Sequence, residues 1–186
     1  ADVAAYVHEG SSMDREARLR GNSVYFPDRV VPMLPERISN DLCSLRPDKD
    51  RAALAIRLVI GADGRVKKHT LHRILMRSHA KLAYEHAQRI IDSDERTHEA
   101  YPWLKTLYQA WNATREERRA RNPLDLDLPE RKLKLNAHGA VERVYVPARL
   151  DAHRLIEDFM ILANVAAAEI LERAQVPLIY RVHDEP

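Results

Sequence analysis

The segment from Asp151 to Gln175 carries the most regular helical pattern in the chain, and Pro177 follows it. Proline has no N–H to donate and ends a helix. Asp151 is the expected cap, since an aspartate oxygen accepts from free N–H groups of a first turn. Leu155, Phe159, Leu162 and Val165 line an apolar side, while His153, Glu157 and Asn164 stand at i, i+4 and i+11. Those three fall near one another on one helical face. A polar group buried there without a partner costs about 1–3 kcal/mol, so the stripe needs partners. A solvated edge, a buried hydrogen-bond network and a row of ligand-facing groups all satisfy the pattern.

Around this helix the chain alternates between types. Ser12 followed by Met13 to Arg20 and then Gly21 predicts a short capped helix with a glycine stop. Ser23 to Phe26 is extended and bounded by Pro27, and Glu36 to Cys43 can form one or two helical turns. Ala52 to Ile60 and Val66 to Ile74, joined by Ala62-Asp63-Gly64, predict a hairpin. Helices follow over Tyr84 to Ile91 and Trp103 to Arg119, the second with Leu104, Leu107, Tyr108 and Trp111 on one face. Asn122 to Pro129 is a connector or edge strand. Lys132 to Asn136 and Val141 to Val146 form a second hairpin around His138-Gly139, and Leu178 to Val182 is a final strand. The sum is one mixed α+β domain.

Composition narrows the function classes. Hydrophobic content of 45% with 31% charged residues fits a globular chain, and no apolar run approaches the roughly 18–20 residues that cross a bilayer. The single cysteine, Cys43, leaves no internal disulfide and suits a reducing cytoplasm. Without a CxxC or HxxxH pair, a structural zinc site is not expected. Ala1-Asp2-Val3 lacks the features of a signal peptide, and both ends read as cuts inside a longer protein. The net charge of +2 identifies no partner. Basic clusters occur at Arg15/Arg18/Arg20, Arg65/Lys67/Lys68/Arg73/Arg77, Arg115/Arg118/Arg119/Arg121 and Arg131/Lys132/Lys134. Such clusters can bind phosphates, although Glu116-Glu117 beside Arg118-Arg119 marks a solvated face. There is no Walker loop, GxGxxG, GxSxG or HExxH, and five glycines do not build a phosphate cradle.

One further element stands out. Gly21-Asn-Ser-Val-Tyr25-Phe-Pro27 is an extended segment between Gly and Pro that can present an aromatic ring rigidly. Aromatic platforms stack nucleobases for about 1–3 kcal/mol per base; core packing is the other reading of a Tyr-Phe pair.

Taken in order, Ala1-Asp-Val3, Asp14-Arg-Glu-Ala17, Arg20-Gly-Asn-Ser-Val-Tyr-Phe-Pro27, Val31-Pro-Met-Leu-Pro-Glu36, Ser39-Asn-Asp-Leu-Cys-Ser-Leu45, Asp151-Ala-His-Arg-Leu-Ile-Glu157 and Met160-Ile-Leu-Ala-Asn164 resemble the catalytic (RNB) domain of the ribonuclease R and ribonuclease II family. The resemblance runs from the first residue to His183-Asp-Glu-Pro186. It implies a processive, hydrolytic 3′→5′ exoribonuclease that threads single-stranded RNA and releases nucleoside 5′-monophosphates. It also implies magnesium held by an aspartate-rich motif, where two ions would activate water and stabilise charge on the scissile phosphate. Flanking cold-shock and S1 domains would guide the RNA, and the location would be cytoplasmic.

Carried over residue by residue, the resemblance makes Tyr25 the stacking partner of the 3′-terminal base and places Tyr84 near the terminal riboses. Glu157 becomes the carboxylate that senses the ribose 2′-hydroxyl, a group deoxyribose lacks. Leu126, Asn164 and Arg77 complete the expected RNA-binding set. Leu126 stands where some relatives carry a phenylalanine that sandwiches the last base, and leucine offers a wall without a π face. Asp158 replaces a common glutamate, and Ala83 stands where threonine often precedes the tyrosine. The family's aspartate motif is expected upstream of Ala1 and its arginine-containing motif downstream of Pro186, so residues 1–186 are expected to be one partial RNB domain with no assignable catalytic residue or metal ligand. The expected architecture is a mixed sheet packed by helices, with the long helix 151–175. The rival readings are a non-catalytic RNA-binding module on the same fold and a helical interaction protein.

Overall fold

The computed structural model describes residues 1–119 and 131–180. Among the described residues it has four α-helices, α1 (Ser12–Arg20), α2 (Tyr84–Asp92), α3 (Tyr101–Arg119) and α4 (Asp151–Arg173), besides a 3-10 turn at Val3–Ala5 and a π-helical segment at Arg37–Leu42, where the sequence predicts helical turns. Six strands accompany them among the described residues: β1 (Val24–Tyr25), β2 (Val30–Val31), β3 (Asp50–Ile60), β4 (Val66–Arg77), β5 (Lys132–Leu135) and β6 (Val141–Tyr145). The class is α+β. Among the described residues the mixed sheet takes the form of three separate two-stranded ribbons, β1–β2, β3–β4 and β5–β6. Each strand pairs with its chain neighbour across a local turn, which leaves none of these six to join the ribbons. The chain divides into two compact units, one formed by Ala1–Leu54, Arg73–Lys81 and Leu128–Ala148, the other by Ala55–His72, Leu82–Asp127 and Arg149–Pro186.

In the first unit, Ser11 rather than Ser12 caps α1, its hydroxyl accepting from the Asp14 N–H at 3.1 Å. Asp14 in turn accepts from the Gly10 N–H at 3.0 Å, one residue before the cap. The helix stops at Gly21, whose φ of +73° suits only a residue without Cβ. The β1–β2 ribbon is anchored next to it. Ser23 Oγ accepts from the Met33 N–H at 2.9 Å, and Arg20 donates to the Pro32 carbonyl at 3.2 Å. A buried charge closes the other end of this unit. Asp2 is 4% exposed, and its carboxylate accepts two 2.7 Å contacts from the Arg73 guanidinium, the pairing a buried ion requires.

The second unit is built on helix packing. Tyr108 and Trp111 of α3 and Leu155 of α4 form its core, with Ile91 and Phe159 packed against them. Burial on α3 runs through Tyr101, Tyr108, Trp111 and Thr114, on the expected side of the helix, although Leu107 of that face is exposed. Trp111 donates its indole N–H to Asp158 at 2.7 Å, and Arg118 donates to the other oxygen of the same carboxylate. Asp158 is thereby a tie between α3 and α4. Asp151 is the first helical residue of α4, and Leu150 is its N-cap; the cap function passes to His153, whose Nδ1 accepts the Leu150 N–H at 3.2 Å. Leu178 to Tyr180 form no strand, since among the described residues no neighbour offers them a ladder. Arg181 and Val182, the rest of that expected strand, lie outside the described residues, as does the connector Asn122 to Pro129.

Gly64, at the β3–β4 turn, fixes how that turn meets α3. Its φ is +77°, and a Cβ there would lie 2.1 Å from the Ala113 carbonyl oxygen. Gly64→Ala therefore meets backbone as well as the left-handed penalty. It is expected to destabilise the protein by about 2–4 kcal/mol, read as a shifted denaturant midpoint; an unchanged midpoint refutes the close approach.

Candidate RNA-binding site

Of the expected site residues on the second unit, Tyr84 opens α2, Glu157 stands in the second turn of α4 and Asn164 lies in the middle of that helix. Tyr84 is the first residue of α2, preceded by Ala83, which has no side-chain acceptor to cap the helix. Its ring stacks on the imidazole of His153, with centroids 4.1 Å apart and planes 25° from parallel. One turn further on in α2, Gln88 accepts the Ala152 N–H at 2.9 Å and the Tyr108 hydroxyl at 3.3 Å. It also donates to Asp92 at 2.9 Å. Gln88 thus satisfies one of the free N–H groups that every helix start presents. Burial, with the nearby charges of Asp151 and Asp92, pushes the Tyr108 phenol up to about 12, so that hydroxyl remains a donor throughout the neutral range.

Glu157 lies one turn beyond His153 on the same face of α4. It is exposed, and its Oε2 accepts from Arg149 at 2.7 Å. Asn164 is two turns further along that face and exposed. The stripe seen in sequence is therefore largely solvent-facing: Glu157 and Asn164 carry no burial cost, and His153, half-buried, has partners for both its ring face and its Nδ1.

Tyr25 and Arg77 belong to the first unit. Tyr25 is 77% exposed on β1, opposite Val30, so its ring is available for stacking and is not a core group. Its neighbour Phe26 is covered by Arg29, whose guanidinium carbon lies 5.3 Å from the ring centroid. Arg77 donates to Asp50 at 2.7 Å. That hydrogen bond holds the Asp50 carboxyl below its ordinary range and raises the guanidinium further. A phosphate reaching Arg77 competes with Asp50. Leu126 lies outside the described residues.

Two contacts carry no signal in the sequence, although His153 itself stands in the polar stripe of the long helix. The His153 ring contact joins helices far apart in the chain, and no local pattern marks it. Gln88 reaches Ala152 across 64 positions. A cavity of about 400 Å³ on this unit, lined in part by Arg65, Glu117, Arg118 and Asp158, has its charges paired internally, Arg65 with Glu117 at 3.7 Å and Arg118 with Asp158.

Among the described residues no group of three or more His, Cys, Asp or Glu side chains is placed to hold a metal ion such as the magnesium that the family resemblance implies. No helix among them is long and apolar enough to cross a membrane.

The comparisons with known proteins bear on the family and the fold. The RNB domain model matches residues 1–186. Ribonuclease R of Escherichia coli is 41% identical over 193 aligned positions that take in 100% of this chain and 23% of that protein. The chain thus spans less than a quarter of the length of this curated relative. Among solved structures, Mycoplasma genitalium RNase R superposes with a TM-score of 0.91 at 30% identity, covering 100% of this chain and 30% of its own. That protein has been solved with ribose-methylated single-stranded RNA and with double-stranded RNA. Yeast Ssd1, a pseudonuclease, gives a TM-score of 0.50 at 26% identity, over 61% of this chain and 13% of that one. With its whole length matched and its helices and ribbons superposed on those of an RNase R, the chain belongs to the RNB family.

Proposed function

We propose that the protein containing this chain is a hydrolytic 3′→5′ exoribonuclease, and that this chain supplies side chains that bind the 3′-terminal nucleotides of single-stranded RNA. The observation that carries the reading is the RNB match over all 186 residues. The accessibility of Tyr25, Tyr84 and Glu157 supports it. In this reading Tyr25 stacks on the terminal base, a contact indifferent to which base it is because every base has a π face. Tyr84 supports the terminal riboses, and Glu157 accepts from a 2′-hydroxyl. Asn164 and Arg77 add a hydrogen-bonding group and a phosphate contact, and Leu126 an apolar wall. Degradation is processive and yields nucleoside 5′-monophosphates. The chain is part of one RNB catalytic domain whose magnesium-holding aspartates lie upstream of Ala1 and whose arginine motif lies downstream of Pro186. Cold-shock and S1 domains flank it, in a cytoplasmic enzyme.

The test compares the full-length protein with the isolated chain on 3′-labelled single-stranded RNA and magnesium. Release of labelled monophosphate by the full-length protein alone is the expected result, and Tyr25→Ala in it changes the length of the final product. Trimming by the pure chain refutes the placement of the metal ligands. A full-length protein that binds RNA without cleaving it favours a second reading, a non-catalytic RNA-binding module. The likeness to Ssd1 lends that reading its support. The residues encoded before Ala1 separate the two: a DxxxxxDxDD-type run accompanies the enzyme.

A further inference from the structure

Tyr84 occupies the first position of α2, where no preceding helical turn exists to pack against its ring. The residue is 41% exposed, so its direction must be set from outside its own helix. His153 does this from α4, stacked at 4.1 Å and 25°. The imidazole is itself fixed, because its Nδ1 accepts the Leu150 N–H at 3.2 Å. That bond leaves the proton of the neutral ring on Nε2 and selects one of the two ring orientations. Gln88 clamps the same two helix starts through Ala152, so both partners of the stack stand on tied elements. Glu157 then follows His153 by one turn on the same face of α4.

We infer that His153 is a positioning residue for RNA-over-DNA selection: its ring, acting through Tyr84, holds the aromatic surface against which a ribose is presented to Glu157. The inference rests on the RNA-binding role proposed above. The two features of His153 have separable consequences. The ring face orients Tyr84 and governs sugar choice. The Nδ1 acceptor caps α4 and governs stability.

Two substitutions divide them. His153→Asn keeps a side-chain acceptor near the Leu150 N–H and removes the ring. His153→Phe keeps a stacking ring and removes the acceptor. Binding of single-stranded RNA and of DNA of the same sequence is measured on the full-length protein in chelator, so that no cleavage intervenes, alongside thermal unfolding. His153→Asn is expected to lose about tenfold in RNA-over-DNA preference with an unfolding midpoint near wild type, since one oriented contact changes an equilibrium by about that factor. His153→Phe is expected to keep the preference and unfold at lower temperature. Equal preference in wild type and His153→Asn overturns the inference while leaving the RNA-binding role standing, and so does equal loss in both variants. Wild-type protein with no preference for RNA overturns that role and this inference with it.

Discussion

Glu157→Ala in the full-length protein is expected to reduce its preference for single-stranded RNA over the matching DNA by about ten- to a hundredfold. A hydrogen bond to a charged acceptor is worth about 1.5–3 kcal/mol, and each 1.4 kcal/mol is a factor of about ten. The carboxylate is suited to the task. Its Oε2 is held by Arg149 at 2.7 Å, which fixes the group, and a carboxylate has acceptor sites on both oxygens. Deoxyribose offers no hydroxyl there, so removing the acceptor lowers RNA affinity and leaves DNA affinity nearly unchanged. The fold is expected to tolerate the change, because the pair is solvent-exposed and such pairs contribute about 0–1 kcal/mol. Competition binding in chelator gives the ratio directly. A ratio that stays at the wild-type value removes Glu157 from sugar recognition. Glu157→Gln, which keeps a carbonyl acceptor of the same shape, is expected to fall between the two.

Helices are easy to read in this sequence, and the contacts between them are hard. The limits of α2, α3 and α4 fall within two residues of the periodic segments, because side-chain period and proline placement act locally. The β3–β4 and β5–β6 ribbons are marked by Asp63-Gly64 and His138-Gly139, whereas β1–β2 pairs only two residues a side and is too short for any alternation to show. The caps differ from expectation by one position, Ser11 for Ser12 and Leu150 for Asp151; Ser11 caps α1 with its hydroxyl, and at α4 the side-chain bond comes from His153. Within the site, Tyr25 and Glu157 stand out by type and spacing. The contacts that organise the surroundings of Glu157 do not: Asp158 meets Trp111 across 47 positions, and His153 meets Tyr84 between two helices. Such pairings depend on helix crossing geometry, which no local pattern encodes.

Asp158 shows what that blindness conceals. Read in sequence as a substitute for a family glutamate, it serves in the structure as acceptor for the Trp111 indole and the Arg118 guanidinium. Trp111 is 2% exposed, meets Tyr108 edge to face at 5.9 Å, and has the Arg115 guanidinium carbon 5.0 Å from its ring centroid. Trp111→Ala removes this buried ring and strips Asp158 of one donor. A loss of about 3–5 kcal/mol is expected, which for a chain of this size lowers the unfolding midpoint by about 6–20 °C at roughly 2–4 °C per kcal/mol. Trp111→Phe keeps most of the ring and deletes only the N–H, so its cost isolates the bond to Asp158. Combined with Asp158→Ala, it forms a double-mutant cycle in which a coupling of about 0.5–3 kcal/mol is expected. A coupling of zero, with both single variants near wild type, means that α3 and α4 are held by apolar packing alone. A coupling in the expected range makes Asp158 a structural tie and separates it from the exposed Glu157 beside it: Asp158 faces α3, and Glu157 faces solvent, open to the ribose contact proposed for it.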